Sequence, residues 1–423
     1  MNQDMQQSKT HWPSILTLIA IIPGAGLLLI TALGFGVSSI VSLATDSNDP
    51  VGIMIASFST AMEGLILVVA IWFVLQKTLG RAGTELSIKL PFANWQILVA
   101  LAVVGIALLS GGLISFSGIK WLGLIVLPVL TILVIASPIW VLLGLGTNGL
   151  EFGPRWRSWS IFGLAMTLGP LIMITLEFLL VIILIVVAAL YLATKPGMVE
   201  EITKLATVLQ NETKPEVIIK LISPYIVNRG VITMALLFFA LAIPMIEELF
   251  KPLGIWLFAS KIQTPTQGFA LGLLSGAAYA LVESLGVSGQ GDKTWALVVS
   301  VRAGTSLLHI TTTGLMGWAI INAWRSKRFL NLLLMYATVV IIHGIWNGAV
   351  VGTSLATLMD MGGETHWTFT IVPALICGMA VLGVGMPAVL LASNRKVKQL
   401  SSKESSASEI LSEKDLAQNT GVK

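Results

Sequence analysis

The chain has 423 residues, of which 55% are hydrophobic and 11% are charged, whereas soluble domains carry about 25% charged residues. This composition excludes an ordinary soluble globular protein. The formal net charge is +4 and the basic residues form no continuous stripe, which argues against a nucleic-acid partner, and the single cysteine, Cys377, excludes a disulfide framework or a zinc site built from several cysteines.

Ten apolar segments follow one another along the chain, and each is long enough to cross a bilayer. A hydrocarbon layer about 30 Å thick needs roughly 20 apolar residues in a helix. The polar N-terminus, 1–12, lacks the basic region and cleavage pattern of a signal peptide, so we expect the first segment to be retained. We predict an all-α fold, a polytopic membrane helix bundle of about ten transmembrane helices, at 15–44, 51–76, 95–116, 121–146, 160–194, 231–258, 267–289, 295–324, 329–353 and 368–393.

The distribution of basic residues between alternate loops predicts the orientation. One set of loops is rich in Lys and Arg, including Lys77, Arg155 and Arg325, whereas the short loops of the other set carry only Lys120 and Lys293. Basic residues stay on the cytoplasmic side of membrane proteins. The sequence therefore predicts an integral membrane protein with both termini in the cytoplasm, which agrees with an even number of spans.

The segment 195–229 is the longest stretch between spans that has helical periodicity of its own. Apolar residues recur at helical spacing, first at Val199, Ile202 and Leu209 and again at Ile218 and Leu221. We predict two short amphipathic helices on the extracytoplasmic side, and they either lie on the membrane surface or cap the bundle. The predicted divisions are a five-span region 1–194, this segment 195–229, a second membrane region 230–353, a last span within 354–393 and a disordered cytoplasmic tail 394–423.

Ionisable side chains are concentrated in the sixth to ninth predicted spans. A charge at the centre of a bilayer costs about 2.5–3.5 kcal/mol, so such residues mark functional sites. Glu247, Glu283, His309 and His343 each lie about 15 residues from the start of their span, which places all four near mid-bilayer. The whole set is Glu247, Glu248, Lys251, Glu283, Arg302, His309 and His343. We predict that these helices bring their polar groups together at one depth.

Helical spacing puts several of these groups on shared faces. Lys251 is four residues from Glu247 and three from Glu248, so it can pair with either carboxylate. His343 and Asn347 are four residues apart and share a face. Two further pairs extend the pattern on the neighbouring spans, Tyr279 with Glu283 and Arg302 with His309.

This set of residue types is compatible with two chemistries. Two histidines with two or three carboxylates are the ligand types of a catalytic zinc site. Without metal, a glutamate can take a proton from water while a histidine and an asparagine hold the oxyanion. On the same spans, Gly268, Gly272 and Gly276 are four residues apart and predict close helix packing.

The motifs resemble one known family. In order, each on its own predicted span, they are Glu-Glu-x-x-Lys at 247–251, Gly-x-x-x-Gly-x-x-Tyr-Ala-x-x-Glu at 272–283, His-x-x-x-Thr at 309–313 and His-x-x-Trp-Asn at 343–347. This pattern is similar to that of the PrsW family of intramembrane proteases, which is related to the CAAX-prenyl-type membrane endopeptidases. The resemblance covers about 231–352. Within it, this sequence departs mildly from the family pattern at Tyr279 and Ser284.

The resemblance implies an activity and a role for each matched residue. Glu247 would activate water, Glu248 and Lys251 would support it, and Glu283 and His309 would hold the water or a metal. His343 and Asn347 would bind metal or stabilise the oxyanion. Members of the family cleave membrane-anchored proteins or peptides, so the resemblance implies a hydrolase of the bacterial plasma membrane. The implied cofactor is Zn²⁺ or no metal at all, with Glu247, Glu283, His309 and His343 as its candidate ligands and Tyr279 and Arg302 as supporting residues.

Two other classes of function use the same residues. A proton- or cation-coupled transporter would employ the buried carboxylates as a relay, but the chain lacks the inverted repeats common in transporters. A catalytically silent scaffold would have no reason to keep intramembrane charges. The interpretation as an intramembrane endopeptidase is therefore preferred.

Overall fold

The computed structural model describes residues 10–46, 49–81, 83–88, 90–291, 293–361 and 367–419. Within these ranges the backbone is mostly helical and forms no β-strand, apart from one isolated bridge between Ser87 and Pro154. The predicted all-α fold is confirmed. Residues 1–9 of the predicted cytoplasmic N-terminus and the last four residues of the predicted tail lie outside the described residues.

The helices follow the predicted segments closely. In the first half they are α1 (Trp12–Thr45), α2 (Pro50–Thr78), α3 (Trp95–Ser117), α4 (Lys120–Thr147), α5 (Arg155–Met166), α6 (Leu168–Ala193), α7 (Met198–Asn211) and α8 (Pro215–Ile226). In the second half they are α9 (Arg229–Leu237), α10 (Ile243–Phe250), α11 (Leu253–Phe258), α12 (Pro265–Gly286), α13 (Trp295–Ser326), α14 (Phe329–Met361), α15 (Trp367–Thr370) and α16 (Val372–Asn419). A π-helical turn, Phe238–Ala242, joins α9 to α10, and a 3₁₀ turn, Ala259–Lys261, follows α11.

Nine stretches of the described residues are long and apolar enough to cross a membrane, and α13 is the tenth predicted span. The stretch Arg155–Ala193 combines α5 and α6, and Arg229–Lys261 combines α9 to α11. α13 has 32 residues, but Arg302, His309 and the threonines at 311–313 lower its hydropathy. The histidine and the threonines are fully buried, so other helices cover the polar face of α13. The chain is a polytopic integral membrane protein.

Apolar and polar residues are distributed as in a protein surrounded by lipid. Leu101, Leu109 and Leu113 on α3 are 65%, 73% and 74% exposed. Many serines and threonines are buried instead, and their hydroxyls donate to the carbonyl one turn earlier, as Thr131 does to Leu127. An apolar exterior of this extent requires a hydrocarbon environment.

The chain divides into two compact units. The first comprises Met1–Gly169, Lys251–Met335 and Met386–Lys423, and the second comprises Pro170–Phe250 and Tyr336–Gly385. Both units are assembled from separated parts of the sequence. The linear division of the chain that the sequence suggests stays a prediction.

Buried contacts hold the first unit together. The indole of Trp295 is fully buried among Ile55, Leu127 and Val134, and its Nε1 donates to Thr131 Oγ1 at 2.8 Å. A second junction is the buried guanidinium of Arg157 on α5. It donates to the carbonyl of Lys261, to that of Phe152 at 3.3 Å and to Gln267 Oε1 at 3.0 Å. Arg157 thus ties the start of α5 to the turn that precedes α12.

The helices α12 and α13 pack with their backbones in contact. A Cβ atom at Gly268, Gly272 or Gly276 would lie 2.5, 2.4 or 2.5 Å from the carbonyl oxygens of Gly317, Thr313 and His309. Real Cβ atoms do not approach oxygen so closely, so only glycine is compatible with this spacing. The close packing predicted from the three glycines is confirmed.

The second unit contains the segment 195–229, which forms the two helices α7 and α8 as predicted. The Tyr225 hydroxyl on α8 donates to Glu201 Oε1 on α7 at 2.7 Å, which fastens one helix to the other. No residue of α7 is buried, and its apolar residues Val199 and Val208 are 54% and 50% exposed. An apolar face left open favours the membrane-surface interpretation over a cap on the bundle.

The last helix extends further than the sequence analysis expects. α16 runs from Val372 to Asn419, through most of the stretch predicted to be a disordered tail. The Glu, Lys, Ala and Leu residues of this stretch have high helix propensity.

Candidate functional site

In the second unit, α10 buries two carboxylates and exposes apolar side chains. Glu247 is 7% exposed and Glu248 is fully buried, whereas Met245 and Leu249 are 43% and 39% exposed. A soluble amphipathic helix would have the opposite arrangement. The helix therefore turns its carboxylates away from lipid and towards the protein interior.

The backbone before these carboxylates is irregular because of Pro244. Proline has no N–H, so the carbonyl of Ala240, four residues earlier, loses its helical donor. The chain responds with the π-helical turn Phe238–Ala242. Such turns are rare and are found frequently at functional sites. Pro244 and the turn together set the rotation at which Glu247 and Glu248 leave the helix axis.

The imidazole of His343 on α14 contacts both carboxylates. His343 Nδ1 lies 2.9 Å from Glu248 Oε1, and its Nε2 lies 3.8 Å from Glu247 Oε2. His343 is 1% exposed. A carboxylate at Nδ1 favours the tautomer that carries the proton there. In that tautomer the lone pair of Nε2 faces Glu247.

The donors of this group are compatible with a divalent ion. Neutral imidazole and carboxylate are ligands of Zn²⁺, and two ligands at about 2.0–2.1 Å from a tetrahedral ion lie about 3.3 Å apart. The 3.8 Å between His343 Nε2 and Glu247 Oε2 needs only a small adjustment to reach that value. Glu248 would then be the outer carboxylate that orients the histidine.

Two further side chains of α14 contact the backbone around α10. Asn347 Nδ2 donates to the carbonyl of Phe239, inside the π-helical turn, at 3.2 Å. The Tyr336 hydroxyl donates to the carbonyl of Met245 at 2.7 Å. A Cβ at Gly344 would lie 2.2 Å from the carbonyl oxygen of Ala240, so only glycine admits this approach. α14 thus accommodates the irregular backbone that Pro244 creates.

In the first unit, a second buried polar group surrounds Lys251 and His309. Lys251 is 1% exposed and His309 is fully buried. Lys251 Nζ lies 2.7 Å from His309 Nδ1 and 4.8 Å from the centroid of the Tyr279 ring. The Tyr279 and His309 rings meet edge to face at 5.1 Å, and Ser275 Oγ donates to the Lys251 carbonyl at 2.7 Å. The ammonium is therefore held by a ring face and an imidazole.

Glu283 on α12 completes this group. Its Oε1 accepts from Arg302 Nη1 at 3.0 Å, and its Oε2 is ion-paired with His309 Nε2. Both ring nitrogens of His309 thus have protein partners, Glu283 on one side and Lys251 on the other. The four residues form a continuous polar chain, Arg302–Glu283–His309–Lys251, in which His309 and Lys251 are buried and the side chains of Glu283 and Arg302 are each 25% exposed.

The structure brings the predicted residues together as two groups. Glu247, Glu248, His343 and Asn347 lie in the second unit, and Lys251, Tyr279, Glu283, Arg302 and His309 lie in the first. That all of them serve one centre stays a prediction, as does the pairing of Lys251 with Glu247 or Glu248. The catalytic and metal-binding roles of the individual residues also stay predictions.

Several contacts of these groups were not anticipated from the sequence. The pairing of Arg302 with Glu283 and the bond from Ser275 to the Lys251 carbonyl join different helices, which no spacing along the chain reveals. The π-helical turn had a visible signal, because Pro244 stands only three residues before Glu247. The bond from the Tyr336 hydroxyl to the Met245 carbonyl had no signal in the sequence.

Comparison with models of known protein families gives a match. Residues 216–382 match the model of a family described as PrsW family intramembrane metalloprotease, and this range contains all the candidate residues of both groups. The resemblance inferred from the motifs is confirmed. Comparisons with curated proteins and with solved structures give no match.

Proposed function

Because residues 216–382 belong to the PrsW family of intramembrane metalloproteases, we propose that this chain hydrolyses peptide bonds of membrane-anchored proteins or peptides with water activated by Glu247. The observation that carries the proposal is the buried contact of His343 with two carboxylates. Glu248 holds Nδ1 at 2.9 Å, and Glu247 stands 3.8 Å from Nε2.

The two carboxylates have different tasks in this proposal. Glu248 fixes the orientation and the tautomer of His343. Glu247 takes a proton from water as the water attacks the peptide carbonyl, and it returns that proton to the leaving amine. Asn347 and His343 remain the predicted groups for the developing oxyanion, with Lys251 and Arg302 as fixed positive charges that support the buried glutamates.

Glu247 and His343 are also the first candidates to hold a metal ion. A bound divalent ion would supply Lewis acidity toward the peptide carbonyl. The sequence prediction adds Glu283 and His309 as ligands, but in the structure they are ion-paired with each other. His309 could coordinate a metal ion only if Glu283 left its Nε2 or Lys251 left its Nδ1. We therefore rank Glu283 and His309 second as metal ligands.

The experiment compares the membrane proteomes of cells that express the chain or one of its variants. New protein termini within or beside single membrane spans are expected with the wild type. They should disappear with Glu247→Gln and with His343→Ala. Glu200→Gln is the matched control, because the Glu200 side chain is 73% exposed and is ion-paired with Lys204 on the surface of α7.

The same comparison distinguishes the competing function. A transporter would leave the termini unchanged in every variant, and reconstituted protein would instead show ion-coupled uptake. Equal sets of termini from the wild type and from Glu247→Gln, with both proteins inserted and folded, would defeat the proposal. Loss of the termini in Glu200→Gln as well would point to a defect of folding rather than of chemistry.

A further inference from the structure

The first unit contains an apolar cavity that none of the proposed chemistry uses. Its volume is about 580 Å³, and it lies among α3, α4, α5 and α12 with Met62 of α2 at one wall. Along α3 the lining extends from Trp95 to Val103, a rise of about 12 Å. Ile88 and Phe152, from the loops at the same end of α3, close the cavity there.

The lining offers few groups that could donate a hydrogen bond to a ligand. Besides the indole N–H groups of Trp95, Trp140 and Trp159, its polar side chains are Gln96, Ser137 and Ser158. Ser137 Oγ donates to the carbonyl of Leu133 at 2.6 Å, and Ser158 Oγ donates to that of Pro154 at 3.2 Å. Gln96 Oε1 accepts from the N–H of Ala93 at 3.0 Å. A peptide or a polar metabolite would therefore leave most of its hydrogen-bonding groups unpaired on entering, whereas a hydrocarbon has none to satisfy.

The cavity opens towards the lipid. Trp95, Val99, Leu133 and Trp140 line it and are at the same time 62%, 48%, 38% and 37% exposed on the outer surface of α3 and α4. The exposed surfaces of these helices are apolar throughout, so the medium at this opening is the bilayer itself. Trp95 is the first residue of α3, a position at which tryptophans meet lipid headgroups.

The size of the cavity suits one long hydrocarbon chain. A dry apolar cavity of about 150 Å³ holds a benzene ring of six carbons. By the same ratio, 580 Å³ gives room for roughly twenty carbons. The lining runs along both α3 and α4, a course that an extended chain can follow.

We propose that this cavity binds one acyl chain of a bilayer phospholipid, which supports α12 from the side opposite the buried polar group. Leu274, Ala277 and Leu281 of α12 line the cavity and share one face. Tyr279 and Glu283 each follow a lining residue by two positions, about 200° around the helix. The acyl chain thus occupies the rear face of the helix that presents Tyr279 and Glu283 to His309.

The test counts the phospholipid molecules that remain bound to the purified full-length chain. Native mass spectrometry after mild delipidation should find one retained phospholipid, which dioleoyl phosphatidylcholine replaces when it is added back. Ala100→Phe on α3 and Ala136→Phe on α4 each fill the cavity and should lower this binding at least tenfold. Ala102→Phe is the matched control, because Ala102 lies on the same helix, is exposed and is absent from the lining.

Two further measurements keep the outcome clear. The added phospholipid should raise the thermal unfolding midpoint of the wild type and of Ala102→Phe, but not that of Ala100→Phe or Ala136→Phe. Two cavity-filling variants are used so that a folding defect in one of them does not decide the result. A palmitoylated peptide is the second probe, since a lipid-modified substrate carries the same chain. Binding of that peptide alone, or equal phospholipid retention by all variants, would overturn the assignment.

Discussion

At the scale of single residues, the two carboxylates around His343 are distinguished by distance. Glu248 Oε1 lies 2.9 Å from Nδ1, which is a hydrogen-bond distance, whereas Glu247 Oε2 lies 3.8 Å from Nε2, which is too long for a hydrogen bond. Carboxylates that orient a ligating or catalytic histidine matter less than the residue that performs the chemistry, and their loss costs about 10–100-fold. The geometry therefore predicts a graded series of variants rather than equal losses.

We expect Glu248→Gln to lower the cleavage rate by about 10–100-fold, while Glu247→Gln abolishes it. The glutamine keeps an oxygen near Nδ1 but loses the charge that stabilises the protonated nitrogen. Steady-state cleavage of a substrate identified from the membrane proteome, with purified protein in vesicles, measures both rates. An unchanged rate in Glu248→Gln would show that the observed contact has no role in orienting His343.

The residue scale also shows where sequence reasoning ends. The motif Glu247-Glu248 and the position of His343 near the same depth sufficed to predict that they belong together. The ion pair of Arg302 with Glu283 did not follow, because it depends on how far α12 and α13 are rotated about their own axes. That rotation is set by backbone contacts at the glycines, and one sequence does not reveal which face of α13 they touch.

At the scale of elements, replacing a glycine by alanine should lower or raise the free energy of unfolding according to the position of the glycine. Gly272→Ala puts a Cβ 2.4 Å from the Thr313 carbonyl, so the helices must separate, and we expect a loss of about 1–3 kcal/mol. Gly105→Ala on α3 meets nothing within 4 Å. It should gain up to about 1 kcal/mol from helix propensity alone.

Thermal unfolding in detergent measures both glycine variants. The unfolding midpoint should fall for Gly272→Ala and should stay equal or rise for Gly105→Ala. Equal shifts of the same sign would mean that α12 and α13 can move apart freely, against the close packing observed.

The irregular turn before α10 gives a second test among the elements. Pro244→Ala restores an N–H that can donate to the Ala240 carbonyl, which removes the reason for the π-helical turn. Closing that turn rotates Glu247 relative to His343, so we expect the cleavage rate to fall about 100-fold without loss of thermal stability. Pro387→Ala is the control, because Pro387 also lies inside a helix, α16. This variant should keep full activity.

The whole molecule was predictable in its class, and nine of the ten predicted spans are apolar enough in the described residues to cross a membrane, because hydropathy over about 20 residues is a strong signal. Where sequence and structure differ, the cause is visible. α13 falls below the hydropathy of a span because its polar residues are covered by other helices rather than by lipid. Each compact unit is assembled from distant parts of the chain. The order of spans and loops along the sequence does not show which spans contact one another, so this assembly could not be predicted from it.

Whether α13 crosses the membrane decides the sidedness of the termini. Ten crossings put both termini on the same side, and nine would put them on opposite sides. At 32 residues α13 is about 48 Å long, more than a bilayer needs, so we expect it to cross. In a Cys377→Ser background, a membrane-impermeant maleimide should label Asn211→Cys in intact cells but Ser402→Cys only after permeabilisation. Labelling of Ser402→Cys from outside would leave α13 within one leaflet and would refute the predicted cytoplasmic C-terminus.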